Sequence, residues 1–113
     1  MTPISETFKK GIVQRICRNF LDVMVLRLVQ IEPMWGYKII KRVEEQYEIT
    51  LRHGALYPLL NNLEKKGFLR SRKEAKEGRA RKVYEITSKG IQLLDAYIKV
   101  LQEQIQKQDI KAN

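Results

Sequence analysis

The side chains that most often carry out catalysis are scarce in this sequence. Its 113 residues include one histidine, His53, and one cysteine, Cys17. Acid–base catalysis, nucleophilic catalysis and metal binding each need several such groups close together, and no paired carboxylates that would flank an apolar pocket stand in their place. The sequence therefore predicts neither an enzyme nor a cofactor or metal site, and Cys17 is expected to be a buried apolar residue.

Positive charge is the property that points to a partner. The formal net charge is +9 and the isoelectric point is near 9.8. An anion is expected, with nucleic acid the commonest candidate and an acidic membrane surface the alternative. Between Leu69 and Glu85 seven cations stand against three carboxylates, whereas from Ser88 onward four stand against three. The positive charge is thus concentrated on one short segment.

Hydrophobic periodicity predicts the helices that would position this charge. They are expected over 5–18, 19–30, 35–48 and 54–66, with Ser5 as an N-cap and Gly67 as a C-terminal glycine. The alternation over 49–51 is typical of a very short strand. Pro58 is tolerated only near the start of a helix, so an irregular first turn is expected in the fourth.

The C-terminal half is predicted to hold a hairpin and a long helix. Two extended runs, 68–74 and 81–87, are joined across 75–80 and indicate a β-hairpin. The last helix carries apolar residues in steps of three and four, the seam of a helix that packs against another helix. These residues are Ile91, Leu94, Ile98, Leu101 and Ile105. A second copy of the chain is expected to cover this seam, with help from Phe8 and Ile12.

The order of elements is that of a winged helix-turn-helix followed by a dimerisation helix. The predicted fold is mainly α with a small β-hairpin, and 113 residues provide a single domain, 1–113. It divides into an N-terminal helix (5–18), a winged helix-turn-helix (19–87) and a dimerisation helix (88–108). The apolar stretch 23–29 is interrupted by Arg27, so no membrane partner and a cytoplasmic location are expected.

Four short motifs carry a family resemblance: GYKI at 36–39, GALYPLL at 54–60, LEKKG at 63–67 and YEITSKG at 84–90. Their order and separations closely resemble those of the PadR-like transcriptional regulators, from about Phe20 to Leu94. The resemblance implies a homodimeric regulator of transcription. The sequence has His53 and Ala55 where the family more often has Ser or Pro and Thr or Ser, which affects individual phosphate contacts and not the fold.

The fourth helix is predicted to be the recognition helix. The face opposite its leucines shows Tyr57, Pro58, Asn61 and Lys65. Because asparagine can bond adenine through two hydrogen bonds in the major groove, Asn61 is the candidate base reader. The family motif places Tyr57 on this helix, where it is expected to contact a phosphate or a thymine methyl group, or alternatively to pack against the hairpin. Simple solvation of the face is the other interpretation.

Further DNA contacts are expected on either side of this helix. Arg52 and His53 precede it and are expected to meet a phosphate with the backbone N–H groups at its start, although His53 could equally be exposed and idle. Tyr37 of the first motif is also expected to contact DNA.

The hairpin is predicted to act as the wing. Arg79 and Arg81 are expected beside or inside the minor groove, with Lys76 and Lys82 on phosphates. A solvated basic loop is the alternative. Trp35 is expected to pack against the core rather than bind a ligand, while the resemblance allows a small-molecule inducer without identifying it.

Together these features predict sequence-specific binding of double-stranded DNA by a homodimer on an inverted-repeat operator. The family resemblance implies that the outcome is repression, with activation as the alternative. The rival from another class is a winged-helix module that binds proteins without specific DNA binding. RNA binding is a third interpretation, but no aromatic-rich sheet motif is present to stack exposed bases.

Overall fold

The computed structural model describes residues 3–107. Within that range the chain forms five helices, α1 (Glu6–Asn19), α2 (Leu21–Ile31), α3 (Gly36–Tyr47), α4 (His53–Lys65) and α5 (Ser88–Gln106). The three strands are β1 (Met34–Trp35), β2 (Leu69–Lys76) and β3 (Arg79–Ile86). The predicted fold class, mainly helical with a small β-hairpin, is confirmed. Gln108, the last residue of the predicted terminal helix, lies outside the described residues.

Local hydrogen bonds account for the helix boundaries. The Ser5 hydroxyl accepts from the Phe8 N–H at 3.3 Å, and the Thr87 hydroxyl accepts from the Gly90 N–H at 3.0 Å, so both residues act as N-caps. After α4, Gly67 takes a φ of +85°. This allows the Phe68 N–H to reach the Leu63 carbonyl at 2.9 Å, the closing bond of a Schellman motif. The predicted roles of Ser5 and Gly67 are confirmed.

The strands form one antiparallel sheet in the order β1-β3-β2. β2 and β3 are joined by a turn of two residues, Glu77 and Gly78, whose φ angles are 54° and 74°. Positive φ at both positions is the signature of a type I′ turn, which matches the twist of the flanking strands. The connection is therefore shorter than the predicted 75–80, and the strands extend to Lys76 and from Arg79. We call β2, this turn and β3 the wing.

The predicted strand over 49–51 is wrong. Residues 49–51 have no strand hydrogen bonds, and the Leu51 N–H is bonded to the Glu44 carboxylate at 3.3 Å. Ile49 and Leu51 alternate with exposed Thr50 because both side chains enter the core. The short strand is β1 instead, where Met34 and Trp35 pair with Tyr84 and Val83.

The fourth helix also differs from its prediction. It begins at His53, one residue earlier than expected, and runs without a break through Pro58. Proline at this position removes the hydrogen bond that would reach the carbonyl of Gly54. Gly54 is exposed, so water can satisfy that carbonyl and the helix tolerates the loss.

The core lies between α2, α3, α4 and one face of the sheet. α2 contributes the most, with five buried residues: Val23, Val25, Leu26, Leu28 and Val29. α5 packs against α2 and buries Leu94, whereas Cys17 is the one residue of α1 that is buried. None of the helices seen between residues 3 and 107 is long and apolar enough to cross a membrane.

Gly90 provides a test of this packing. A Cβ atom on Gly90 would lie 2.2 Å from the backbone oxygen of Phe68 and 2.7 Å from Cγ1 of Ile86. Helix propensity alone favours alanine by about 1 kcal/mol, but the collision with backbone outweighs that gain. We expect Gly90→Ala to lower the free energy of unfolding by about 2 kcal/mol or more, measured by urea denaturation.

Gly54→Ala is the matched control. It is also a helical glycine, but beyond its chain neighbours and the backbone of its own helix nothing in the described structure lies within 4 Å of its added Cβ. The substitution should leave stability unchanged or raise it by less than about 1 kcal/mol. Equal stabilities for the two variants would contradict the tight packing of α5 on the sheet.

Candidate nucleic-acid interface

The orientation of α4 is set by its leucines. Leu56, Leu60 and Leu63 are 0–4% exposed and pack into the core. Residues spaced by three or four positions share a helix face, so the opposite face points outward. The exposed residues there include all four that were predicted: Tyr57, Pro58, Asn61 and Lys65. The polar surface of α4 is thus presented to solvent as one continuous stripe.

The start of α4 presents two further candidates. Arg52 occupies the N-cap position with extended backbone and no side-chain cap, and His53 is the first helical residue. Both side chains are exposed. The imidazole of His53 stacks on the ring of Tyr57, one turn later, with centroids 5.5 Å apart and planes within 11°. His53 is therefore oriented by Tyr57.

Tyr57 packs against the start of α3. A Cβ atom on Gly36 would lie only 2.6 Å from the Tyr57 hydroxyl, so the glycine makes room for the phenol ring. This contact is made with α3, whereas the alternative predicted for Tyr57 was packing against the hairpin. Tyr37, one residue further along, is exposed and its ring lies 5.2 Å from that of Trp35.

Strand alternation divides the wing cations between two faces. Lys73 is directly opposite Lys82, and Lys76 is directly opposite Arg79. Because successive side chains of a strand point to opposite faces, these two pairs lie on different sides of the hairpin. Lys82 bonds to Glu64 of α4, so the Lys73–Lys82 pair lies on the face of the hairpin that meets α4. Lys76, Arg79 and Arg81 share the outer face.

Several of these cations already form ion pairs with carboxylates of the same chain. Glu85 pairs with Arg70 and Arg72, and Glu64 pairs with Lys82 at 2.8 Å. Among residues 3–107, three wing cations have no carboxylate within 4.0 Å. They are Lys73, Lys76 and Arg79. Lys73 was counted in the charge excess but was not included in the predicted site. It lies two residues after Ser71 on β2 and therefore on the same face of the strand, which is the face that meets α4.

Arg81 lies against Trp35. Its guanidinium carbon is 3.8 Å from the centre of the indole ring, and its side chain is only 18% exposed. The Nε atom is buried without a hydrogen-bond partner among the described residues. Trp35 therefore has a packing role, and Arg81 contributes to the wing as a cation held over an aromatic ring.

Glu64 joins α4 to both strands of the wing. Its carboxylate accepts hydrogen bonds from the Ser71 hydroxyl of β2 and from the Lys82 ammonium of β3. The hydrogen bond from Lys82, followed by that from Ser71, lowers the pKa of the Glu64 carboxyl. The same hydrogen bond to Glu64 raises the pKa of Lys82. Lys82, predicted on a phosphate, is thus already paired within the chain.

The residues predicted for dimerisation differ in exposure. Phe8, Ile12 and Ile105 are 71%, 52% and 80% exposed, and Ile91 is 36% exposed. Ile98 and Leu101 are half-buried. Leu94 is 2% exposed within its own protomer, where it supports the domain core. The exposed members, together with Ile4, Ile16 and Val100, are apolar residues that the chain itself leaves uncovered.

Comparison with known proteins agrees with this geometry. The model of the transcriptional regulator PadR-like family matches residues 25–96. The chain belongs to this family. As a PadR-like regulator it is a transcriptional regulator with a winged-helix fold, and not an enzyme.

Solved and curated relatives of this PadR-like regulator cover most of its length. A PadR family transcriptional regulator from Eggerthella lenta superposes with a TM-score of 0.70 at 28% identity, covering 96% of both chains. One from Clostridium difficile has a TM-score of 0.63 at 26% identity, covering 76% of this chain and 97% of the other. A protein of Lysinibacillus sphaericus is 30% identical over 87 residues, 74% of this chain and 80% of that one.

The packing of Arg81 on Trp35 can be tested with the tryptophan itself, since this PadR-like regulator contains only one. Arg81→Ala uncovers one face of the indole ring. We expect the fluorescence emission of Trp35 to move to longer wavelength and the free energy of unfolding to fall by about 0.5–2 kcal/mol. Arg79→Ala, which removes an unpaired cation from the same face, should change neither. Identical responses from both variants would contradict the contact.

Proposed function

We propose that this PadR-like regulator binds double-stranded DNA sequence-specifically, as a cytoplasmic homodimer that represses transcription from an inverted-repeat operator. The observation that carries the proposal is that one protein surface combines an exposed polar stripe on α4 with wing cations that have no carboxylate partner among the described residues. A helix of this kind fits the major groove, and a basic hairpin beside it fits phosphates and the adjacent minor groove.

Base reading is assigned to Asn61. It lies at the middle of the exposed stripe, where its side-chain amide can make two hydrogen bonds to adenine: the nitrogen donates to N7, and the oxygen accepts from the N6 amino group. Tyr57, stacked by His53, contributes a contact to a phosphate or a thymine methyl group. Pro58 and Lys65 complete the stripe.

Phosphate binding is assigned to groups that have no carboxylate partner in the part of the chain that the structure describes. In the wing these are Lys73, Lys76 and Arg79, and at the start of α4 they are Arg52 and the backbone N–H groups beside His53. Tyr37 flanks this surface. Each cation that meets a phosphate releases condensed counterions, so binding should weaken steeply with salt. A protein-interaction module would not show this dependence on duplex DNA.

Dimerisation is supported by apolar surface that the protomer leaves exposed. On α1, Phe8 and Ile12 lie one turn apart, and α5 carries Ile105 near its end. The protomer is elongated, with a radius of gyration of 17.0 Å against about 13 Å for a compact chain of this length. A second copy that covered α1 and α5 would remove this surface from water. Its two-fold symmetry would be mirrored in the operator.

Selection from a random pool of duplexes tests the proposal directly. The expected result is an enriched inverted repeat with half-sites about one helical turn apart, roughly 34–36 Å. Repression would then follow from occupancy, since a dimer on a promoter excludes polymerase. Failure to enrich any sequence, with affinity insensitive to salt, would favour the protein-interaction module.

Asn61 and Lys76 should affect binding differently. Asn61→Ala is expected to reduce preference for the selected site by about 1–3 kcal/mol, because a base contact is lost. Lys76→Ala should weaken selected and random duplexes about equally and flatten the salt dependence by roughly one phosphate contact per protomer. Competition titrations at several salt concentrations measure both effects. Equal losses of preference from the two variants would remove Asn61 from the base-reading role.

The dimer is tested by placing charge on its apolar surface. Phe8→Asp combined with Ile105→Asp should weaken self-association by about a hundredfold or more, because a buried unpaired carboxylate costs several kcal/mol. Sedimentation equilibrium measures the change. Ile31→Asp is the control, since Ile31 is 77% exposed at the end of α2, next to α3. A double variant that dimerises as tightly as the control would place the interface elsewhere.

A further inference from the structure

We propose that Glu64 is a positioning residue, whose carboxylate fixes the angle between the recognition helix and the wing and thereby sets sequence discrimination. The proposal rests on the proposed DNA-binding function and deepens it. Glu64 touches no DNA in this scheme: it acts through Ser71 and Lys82.

One side chain connects three elements at this point. Glu64 lies in the last turn of α4, and its two carboxylate oxygens accept separately, one from Ser71 of β2 and the other from Lys82 of β3 at 2.8 Å. The side chain is 28% exposed, so water competes only in part for these bonds. Charge-assisted hydrogen bonds of this kind are stronger and more directional than neutral ones.

Few other contacts hold the wing at the level of Ser71 and Lys82, because burial along its strands ends near there. Leu69 is buried at the base of β2, Ser71 is half-buried, and every residue from Arg72 to Lys76 is exposed. On β3, burial likewise reaches only to Val83, apart from the partly buried Arg81. Among residues 3–107, the two bonds of Glu64 are the outermost polar contacts between α4 and the strands. Without them, the projecting half of the wing would be held by its base and by the contact of Arg81 with Trp35 on the opposite face.

Glu64 also offsets a repulsion within the wing. Lys73 and Lys82 are direct neighbours across the two strands, and like charges in that position are destabilising. The carboxylate compensates one of the two charges. Lys82 then serves as an anchor for the wing, while Lys73 is left for a phosphate.

A purely electrostatic role leaves the ratio of selected-site to random affinity unchanged, whereas a positioning role makes that ratio fall when Glu64 is replaced. Glu64→Gln removes a negative charge and frees Lys82, so electrostatics alone would strengthen binding to every duplex. If Glu64 fixes the wing, the same variant gains affinity for random DNA but loses discrimination. We expect the ratio of selected-site to random affinity to fall by roughly threefold to thirtyfold, the range typical of coupled neighbours. The salt dependence for random DNA should steepen by up to about 0.9 per protomer.

Glu85→Gln is the matched control. Glu85 is 29% exposed and also pairs with wing cations, but both of its partners, Arg70 and Arg72, belong to β2. The variant makes the same change in charge without touching α4. It should raise affinity for random DNA in a similar way and leave the ratio unchanged.

Two further measurements distinguish positioning from loss of folding. The exchanged pair Glu64→Lys with Lys82→Glu keeps the net charge and restores an ion pair between α4 and β3, so it should recover most of the discrimination. Spin labels on cysteines introduced at the exposed positions Asn62 and Ala75 report the helix-to-wing distance without DNA. That distance distribution should broaden in Glu64→Gln and stay as in the parent for Glu85→Gln.

The outcomes separate the two proposals. If the parent protein enriches no DNA sequence, the proposed function fails, whereas the spin-label distances still test the link between α4 and the wing. If the parent discriminates normally and Glu64→Gln behaves as Glu85→Gln in both assays, the positioning role of Glu64 is overturned.

Discussion

Burial of the leucine stripe on α4 is the constraint on which the rest of the surface depends. Leu56, Leu60 and Leu63 each contribute roughly 1.5–3 kcal/mol when removed from water, and together they fix the rotation of the helix about its axis. Rotating α4 by about 100° about its axis would expose these leucines to water. The free energy lost would be comparable to a large part of the stability of a small domain. The exposure of Asn61 is therefore determined by residues that never meet solvent.

The wing shows that a basic segment is not uniformly basic in three dimensions. Its strands place cations on both faces, but Glu64 and Glu85 engage those nearest the body of the protein. Unpaired charge is left mainly at Lys76 and Arg79, which flank the turn. The electrostatic potential is thus directed outward, where an extended polyanion can approach without breaking an existing ion pair.

Local signals made much of this structure predictable from the sequence. Ser5, Gly67 and the leucine spacing of α4 depend on neighbours within a few residues, and all three were confirmed. β1 was missed because its two residues are defined only by pairing with Val83 and Tyr84, almost fifty positions later. The contacts of Arg81 with Trp35 and of Lys82 with Glu64 were missed for the same reason. Periodicity shows which face a side chain occupies, but not which distant group it meets there.

The two-residue turn at the tip of the wing has a consequence for how this protein can vary. Glu77 and Gly78 fix the register, so that each strand residue has one partner and one face. Adding one residue to either strand would shift the alternation and exchange the two faces beyond that point. Lengthening by two residues would preserve it. The wing can therefore change in length by pairs of residues without altering which cations lie on each face. A single inserted residue would move the cations beyond it to the opposite face, unless a β-bulge accommodated the extra residue.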